Sequence, residues 1–139
     1  MIKIAAENFK IDETFYLSKL EEIVKDLGTA GNIVIKLGDK AEAKALNFKY
    51  LKRDYPTDVL SFPCNEEMPD GFYLGDVFIC CPMAGEQAEE NGITVEQELF
   101  TLMVHGILHL TGKDHETDEG EMEKLQENLI EKYFYREET

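Results

Sequence analysis

The stretch EQELFTLMVHGILHL, residues 96–110, decides the fold of this chain. Its apolar residues recur at helical spacing, at Leu99, Phe100, Met103, Val104, Ile107 and Leu108. Just before it, Thr94 and Gln97 have the spacing of a capping box, which marks the start of a helix. The pattern therefore predicts a helix over about residues 95–111 that is apolar enough to lie at the centre of a domain.

The segments on either side of this helix alternate between strand and helix signals. Strands are predicted at residues 2–6 and 32–37, between Pro56 and Pro63, and at 72–81 after a polar turn. Helices are predicted from Asp12 to Gly28, from the capping box of Asp39 and Glu42 to about Tyr50, from Pro82 to Gly92, and from a cap of Asp118 and Glu121 to about Tyr133. The expected fold is one α+β domain, residues 1–139, with a single small mixed sheet of about four strands covered by about five helices.

The composition is that of a globular protein, with 43% hydrophobic and 31% charged residues in 139. No apolar run approaches the roughly 18 residues that span a bilayer, and the N-terminus lacks a signal-peptide pattern. Cys64, Cys80 and Cys81 form no C-x-x-C pair, so we expect small buried hydrophobes and not a redox or metal role. These features predict a cytoplasmic protein without membrane association.

The net charge of −15 is unevenly distributed along the chain. Residues 1–63 carry ten basic and ten acidic side chains, whereas residues 64–139 carry four basic and nineteen acidic ones. Such an acidic balance is unfavourable for binding nucleic acid. The local exception is the segment 36–53, which we interpret either as a surface for an RNA backbone or as a solvated helix face. Its basic residues are Lys36, Lys40, Lys44, Lys49, Lys52 and Arg53.

All three histidines of the chain lie in HGILHLTGKDH, as His105, His109 and His115. Residues four apart share one helix face, so the first two imidazoles can meet at one ion. Gly112 lies just past the predicted helix end, where it allows the chain to turn back and deliver His115. We therefore predict that these three side chains bind one Zn²⁺ ion.

Three nitrogen ligands leave one tetrahedral position open, which is typical of catalytic zinc and not of structural zinc. A fourth ligand, from Asp114, Glu116 or Cys64, would reverse that interpretation. The spacing H-x-x-x-H-x-x-G-x-x-H is that of metzincin proteases. However, Gly106 occupies the position of the protease's glutamate general base, and this argues against peptide hydrolysis.

The blocks LNFKYLKRDYPTDVLSFP, LGDVFICCPMAGEQA and HGILHLTGKDH resemble the YbeY family of metal-dependent endoribonucleases. They follow the family's order and span roughly residues 46–115. The resemblance implies a zincin-like metal-dependent hydrolase fold and a zinc-dependent endoribonuclease specific for single-stranded RNA. It also implies action on ribosomal RNA, at the 3′ end of the small-subunit RNA, and in ribosome quality control, with the small subunit and its proteins as partners. The family's metal ligands map onto His105, His109 and His115.

One position departs from the family pattern, because Leu51 stands where the family has an arginine. Arg53, two residues later, is our candidate for that catalytic or RNA-positioning role, in which Arg53 or Lys52 would offset charge in the transition state. Asp114 is interpreted either as orienting a ligand histidine or as a turn residue. For Thr57, Asp58 and Ser61 we favour turn and strand roles over lining the cleft.

Two other functional classes remain open on the sequence. One is a ribosome-associated binding factor whose zinc is structural, which the acidic half of the chain favours because an acidic face can meet basic ribosomal proteins. The other is a metallopeptidase or small-molecule hydrolase, which Gly106 disfavours.

Overall fold

The computed structural model describes residues 1–112 and 120–135, and in them the predicted α+β architecture is confirmed. The four strands are β1 (Ile2–Ala5), β2 (Asn32–Gly38), β3 (Val59–Met68) and β4 (Gly71–Cys80). They form one mixed sheet in the order β1-β2-β4-β3. β1, β2 and β4 run parallel, whereas β3 pairs antiparallel with β4 along the sheet edge.

Five α-helices surround this sheet in the part of the chain that the structure describes. They are α1 (Glu13–Asp26), α2 (Lys40–Leu51), α3 (Cys81–Asn91), α4 (Val95–Leu110) and α5 (Glu121–Ile130), and a π-helical turn (Glu131–Tyr135) continues α5. None of these helices is both long and apolar enough to span a bilayer.

The helix ends follow the capping residues in the sequence. Asp12 caps α1, the reciprocal capping box of Asp39 and Glu42 opens α2, and Gly92 closes α3 in the left-handed conformation. The Oγ1 atom of Thr94 accepts a hydrogen bond from the backbone N–H of Gln97 at 3.1 Å, which is the threonine half of the predicted box at α4. The predicted cap residue Asp118 lies outside the described residues.

The strand β3 is longer than predicted, because it continues through Pro63 to Met68. Proline lacks a backbone N–H and is tolerated here because β3 is an edge strand. The pairing with β4 shifts between Pro63 and Glu66, where Asn65 has a φ of +55°. Beyond Phe62 the strand extends past the core, so Cys64 is exposed and not buried as expected. Cys80 is buried and Cys81 half-buried, as predicted for small hydrophobes.

The two faces of the sheet are covered unequally. The main core lies on the face that packs against α1, α4 and α5, and it includes the fully buried Ile35, Val77 and Ile79. A smaller cluster of Ala43, Leu60, Phe78 and Cys80 lies on the other face, beneath α2. α4 is the central helix of the main core, as its apolar pattern predicted.

Candidate metal centre

One line of side chains reaches solvent along the second half of α4. Every residue from Glu98 to Leu110 is buried except Thr101, His105 and His109, which are half-exposed. These three are four residues apart, so they lie one above another on a single helix face. The sequence thus places two imidazoles on the one strip of the second half of this helix that a ligand can reach.

The two imidazoles converge through their Nε2 atoms, which lie 3.1 Å apart. Their ring centroids are separated by 4.6 Å. Two nitrogens bound to one tetrahedral zinc ion, each at about 2.05 Å, would be about 3.3 Å apart. The separation in the structure therefore fits two ligands of one ion.

The third predicted ligand, His115, lies outside the described residues, as do Asp114 and Glu116. Within residues 1–112 and 120–135, no three His, Cys, Asp or Glu side chains come together as a metal site. In particular, Cys64 joins no such group there. Of the three predicted ligands, the described part of the chain contains His105 and His109, and metal binding by all three stays a prediction.

A second helix contacts the histidine pair through Gln126. The Oε1 atom of Gln126, on α5, lies 2.7 Å from Nδ1 of His105. We did not identify this residue from the sequence, although it interrupts the apolar stripe of Met122, Leu125 and Leu129. A polar side chain inside such a stripe was the available signal.

Gly106 is explained by the close approach of α4 to the sheet. A β-carbon on this residue would lie 2.5 Å from Cγ1 and 2.9 Å from Cγ2 of Val77, on β4. Position 106 therefore faces the sheet, and a side chain there would be directed into β4, away from the exposed histidine line. On β3, the Ser61 hydroxyl donates to the carbonyl oxygen of Gly106 at 3.1 Å, tying the edge strand to the helix between the two histidines.

Asp58 is held by hydrogen bonds at the start of β3. Its carboxylate accepts from the backbone N–H of Val59 at 2.8 Å, from Nε2 of Gln87 at 3.3 Å and from the Thr57 hydroxyl at 3.4 Å. These contacts agree with the turn and strand roles favoured for Thr57 and Asp58. Burial raises the pKa of the nearby Glu98 carboxyl, and the charge of Asp58 raises it further.

The basic segment 36–53 divides into two parts in the structure. Three of its lysines form ion pairs, namely Lys36 with Glu42 (3.3 Å), Lys40 with Glu86 (2.6 Å) and Lys44 with Asp54 (3.7 Å). These partners offset their charge, which favours the solvated-face interpretation for the first part of the segment.

The other part is a group of cations and aromatic rings at the end of α2. Lys49, Lys52 and Arg53 are exposed, and among the described residues they form no ion pair. Beside them Phe48, Tyr50 and Tyr55 are each just over half exposed. The Nζ atom of Lys52 lies 5.9 Å from the centre of the Phe48 ring, and the Nζ atom of Lys49 lies 5.2 Å from the centre of the Tyr50 ring. We call these six residues the α2 end surface. No described hydrogen bond or ion pair joins Arg53 to His105 or His109.

The chain is similar to known proteins over most of its length. The family model described as Endoribonuclease YbeY matches residues 1–134. Proteins named Endoribonuclease YbeY are 44% identical in Nautilia profundicola, over 88% of this chain and 86% of the relative, and 42% identical in Persephonella marina, over 91% and 88%. A Thermotoga maritima protein solved in solution superimposes with a TM-score of 0.70 at 35% identity, covering 96% of this chain and 89% of that one.

Proposed function

The chain belongs to the endoribonuclease YbeY family, and from that premise we propose that it cleaves single-stranded RNA at one Zn²⁺ ion held by His105, His109 and His115. The observation that carries the metal assignment is the 3.1 Å approach of the first two Nε2 atoms. We further propose that its substrate is ribosomal RNA, at the 3′ end of the small-subunit RNA. On this proposal it works in the cytoplasm, in contact with the small subunit and its proteins and in ribosome quality control.

The chain's own residues have defined tasks in this proposal. A zinc ion bound there would supply Lewis acidity, which activates water and offsets charge on a phosphodiester. To bind it, His105 and His109 must be neutral and present a lone pair at Nε2. Gly106 has no group to accept a proton, and its position faces β4, so a general base must come from elsewhere.

The α2 end surface is our candidate for holding the RNA. Exposed aromatic rings can stack on unpaired bases of any sequence, and neighbouring cations can contact the phosphates. Phe48, Tyr50 and Tyr55 supply the rings, while Lys49, Lys52 and Arg53 supply charge that no described acidic group offsets. Such a surface favours single strands, because a duplex does not expose the faces of its bases.

The metal assignment is tested by replacing His109 with alanine. We expect cleavage of a single-stranded RNA to fall by at least about a hundredfold, because even the groups that only orient metal ligands are worth 10–100-fold. Glu96→Ala, at the exposed start of the same helix, is the matched control and should retain activity. Unchanged turnover in His109→Ala would contradict the catalytic assignment. Retained biological activity in a folded, metal-free variant would favour the binding-factor alternative.

The RNA-binding assignment is tested by replacing Arg53 with alanine in the His109→Ala background, where the RNA stays intact. Loss of one phosphate contact should lower the slope of log affinity against log salt by about 0.7. Lys40→Ala is the control, because Lys40 is already paired with Glu86 at 2.6 Å. Equal slopes for the Arg53→Ala and Lys40→Ala proteins would argue against this surface.

A further inference from the structure

We propose that Gln126 is a positioning residue that fixes the tautomer of His105, so that its Nε2 atom keeps a lone pair directed toward His109. This inference rests on the proposed metal site and adds to it a residue outside the histidine motif. Its basis is the 2.7 Å contact between Oε1 of Gln126 and Nδ1 of His105.

The chemistry of the two groups determines where the proton lies. An amide oxygen can only accept a hydrogen bond, so Nδ1 of His105 must donate one. A neutral imidazole carries a single N–H, and its other nitrogen, Nε2, then holds a lone pair. That same Nε2 atom is the one that lies 3.1 Å from Nε2 of His109. In the opposite tautomer, with the amide in this orientation, two lone pairs would face each other at 2.7 Å, and an N–H would occupy the position that a cation needs.

Gln126 lies on the face of α5 that packs against the main core. Gln126 follows Met122 by one helical turn and precedes Leu129 by three residues, and both of these side chains are buried in the main core. Gln126 itself is half-buried between them. A residue in this stripe would ordinarily be apolar. The glutamine packs less well than an apolar side chain would, but it makes a hydrogen bond to a proposed ligand histidine.

Two substitutions separate positioning from packing. Gln126→Met keeps the length and helix propensity of the side chain but removes the acceptor, whereas Gln126→Glu keeps an acceptor oxygen. Glu127→Met changes the adjacent exposed residue of the same helix and serves as the control. If Gln126 only packed α5 against α4, the methionine variant would match the wild type and the glutamate variant would not.

The first measurement is zinc affinity, by competition with a chelator of known affinity. We expect Gln126→Met to bind Zn²⁺ about 10–100-fold more weakly than the wild type, with Gln126→Glu at least as tight as the wild type and Glu127→Met unchanged. The second is ¹⁵N NMR of the imidazoles in the folded, zinc-free protein. The wild type and Gln126→Glu should show His105 with its proton on Nδ1, and Gln126→Met should show a mixture of tautomers.

The two proposals fail in different ways. If Gln126→Met leaves both the zinc affinity and the His105 tautomer unchanged while His109→Ala abolishes zinc binding, the role of Gln126 is overturned and the metal site stands. If His109→Ala also binds zinc as tightly as the wild type, both proposals are overturned.

Discussion

Replacing Gly106 with alanine tests whether the helix that carries the histidines is held by close contact with the sheet. The new β-carbon would lie 2.5 Å and 2.9 Å from the two γ-carbons of Val77, where an ordinary contact is 3.4–4 Å. Val77 is fully buried, so it cannot turn away and α4 must move outward by about 1 Å. Overpacking of this kind costs about 1–3 kcal/mol, and the better helix propensity of alanine returns about 1 kcal/mol. We therefore expect a net loss of about 1 kcal/mol, and at most about 2 kcal/mol, in the free energy of unfolding.

Urea denaturation measures this loss, and the m-value should be the same for the variant and the wild type. Thermal unfolding should show a Tm lower by on the order of 5 °C. The matched control is Gly85→Ala in α3, where no atom lies within 4 Å of the added β-carbon. That variant should gain up to about 1 kcal/mol from helix propensity alone. Val77→Ala is destabilising by itself because Val77 is buried. In the Val77→Ala background, however, Gly106→Ala should cost less than in the wild type, since the two methyl groups in contact are gone. Equal stabilisation by the alanines at 85 and 106 would refute the explanation of Gly106.

Three further predictions concern the surroundings of the histidine line. Glu98→Gln should stabilise the protein more at about pH 8 than at about pH 4. Burial raises the pKa of Glu98 in the folded state, so the folded protein holds this proton more tightly than the unfolded chain does. The wild type therefore loses stability as the pH rises, whereas the glutamine variant has no such proton to lose. Chemical denaturation at both pH values measures the gain, and an equal gain at each would contradict the raised pKa. Leu51→Arg would introduce the arginine that the family resemblance implies at this position, at a site that is 49% exposed, so we expect unchanged stability and roughly tenfold higher kcat/KM on single-stranded RNA from one added charged hydrogen bond. An unchanged kcat/KM would instead show that Arg53 already supplies the basic group. Ser61→Ala removes the bond to the Gly106 carbonyl and should lower the free energy of unfolding by about 1 kcal/mol, whereas no change in unfolding would show that this bond does not hold β3 against α4.

The local signals of the sequence predicted the helices and strands and, within the candidate site, the approach of His105 to His109. Capping by Asp12 and by Asp39 with Glu42 involves residues within one helical turn, so spacing alone identified it. The approach of His105 and His109 is likewise a consequence of helix geometry over four residues. Their line is the exposed strip of α4 because the apolar residues around them are buried.

Features that depend on distant parts of the chain were not predictable in this way. Gln126 contacts His105 across 21 positions in the sequence, and the pairing of Lys40 with Glu86 spans 46. No periodic pattern encodes such partners, since they arise when helices and strands pack. The continuation of β3 past Pro63 was missed because proline usually ends a strand, and only the position at the sheet edge permits it.

The unequal cores on the two faces of the sheet have a consequence for hydrogen exchange. α2 is anchored by the small cluster around Ala43 and Phe78, whereas α4 is enclosed by the main core. Amides of α2 should therefore exchange through local opening of that helix, and those of α4 only through global unfolding. The α2 end surface and the proposed metal ligands then belong to units of different stability. The α2 end surface can therefore adapt to different RNA strands, while the histidine ligands on α4 keep a fixed geometry.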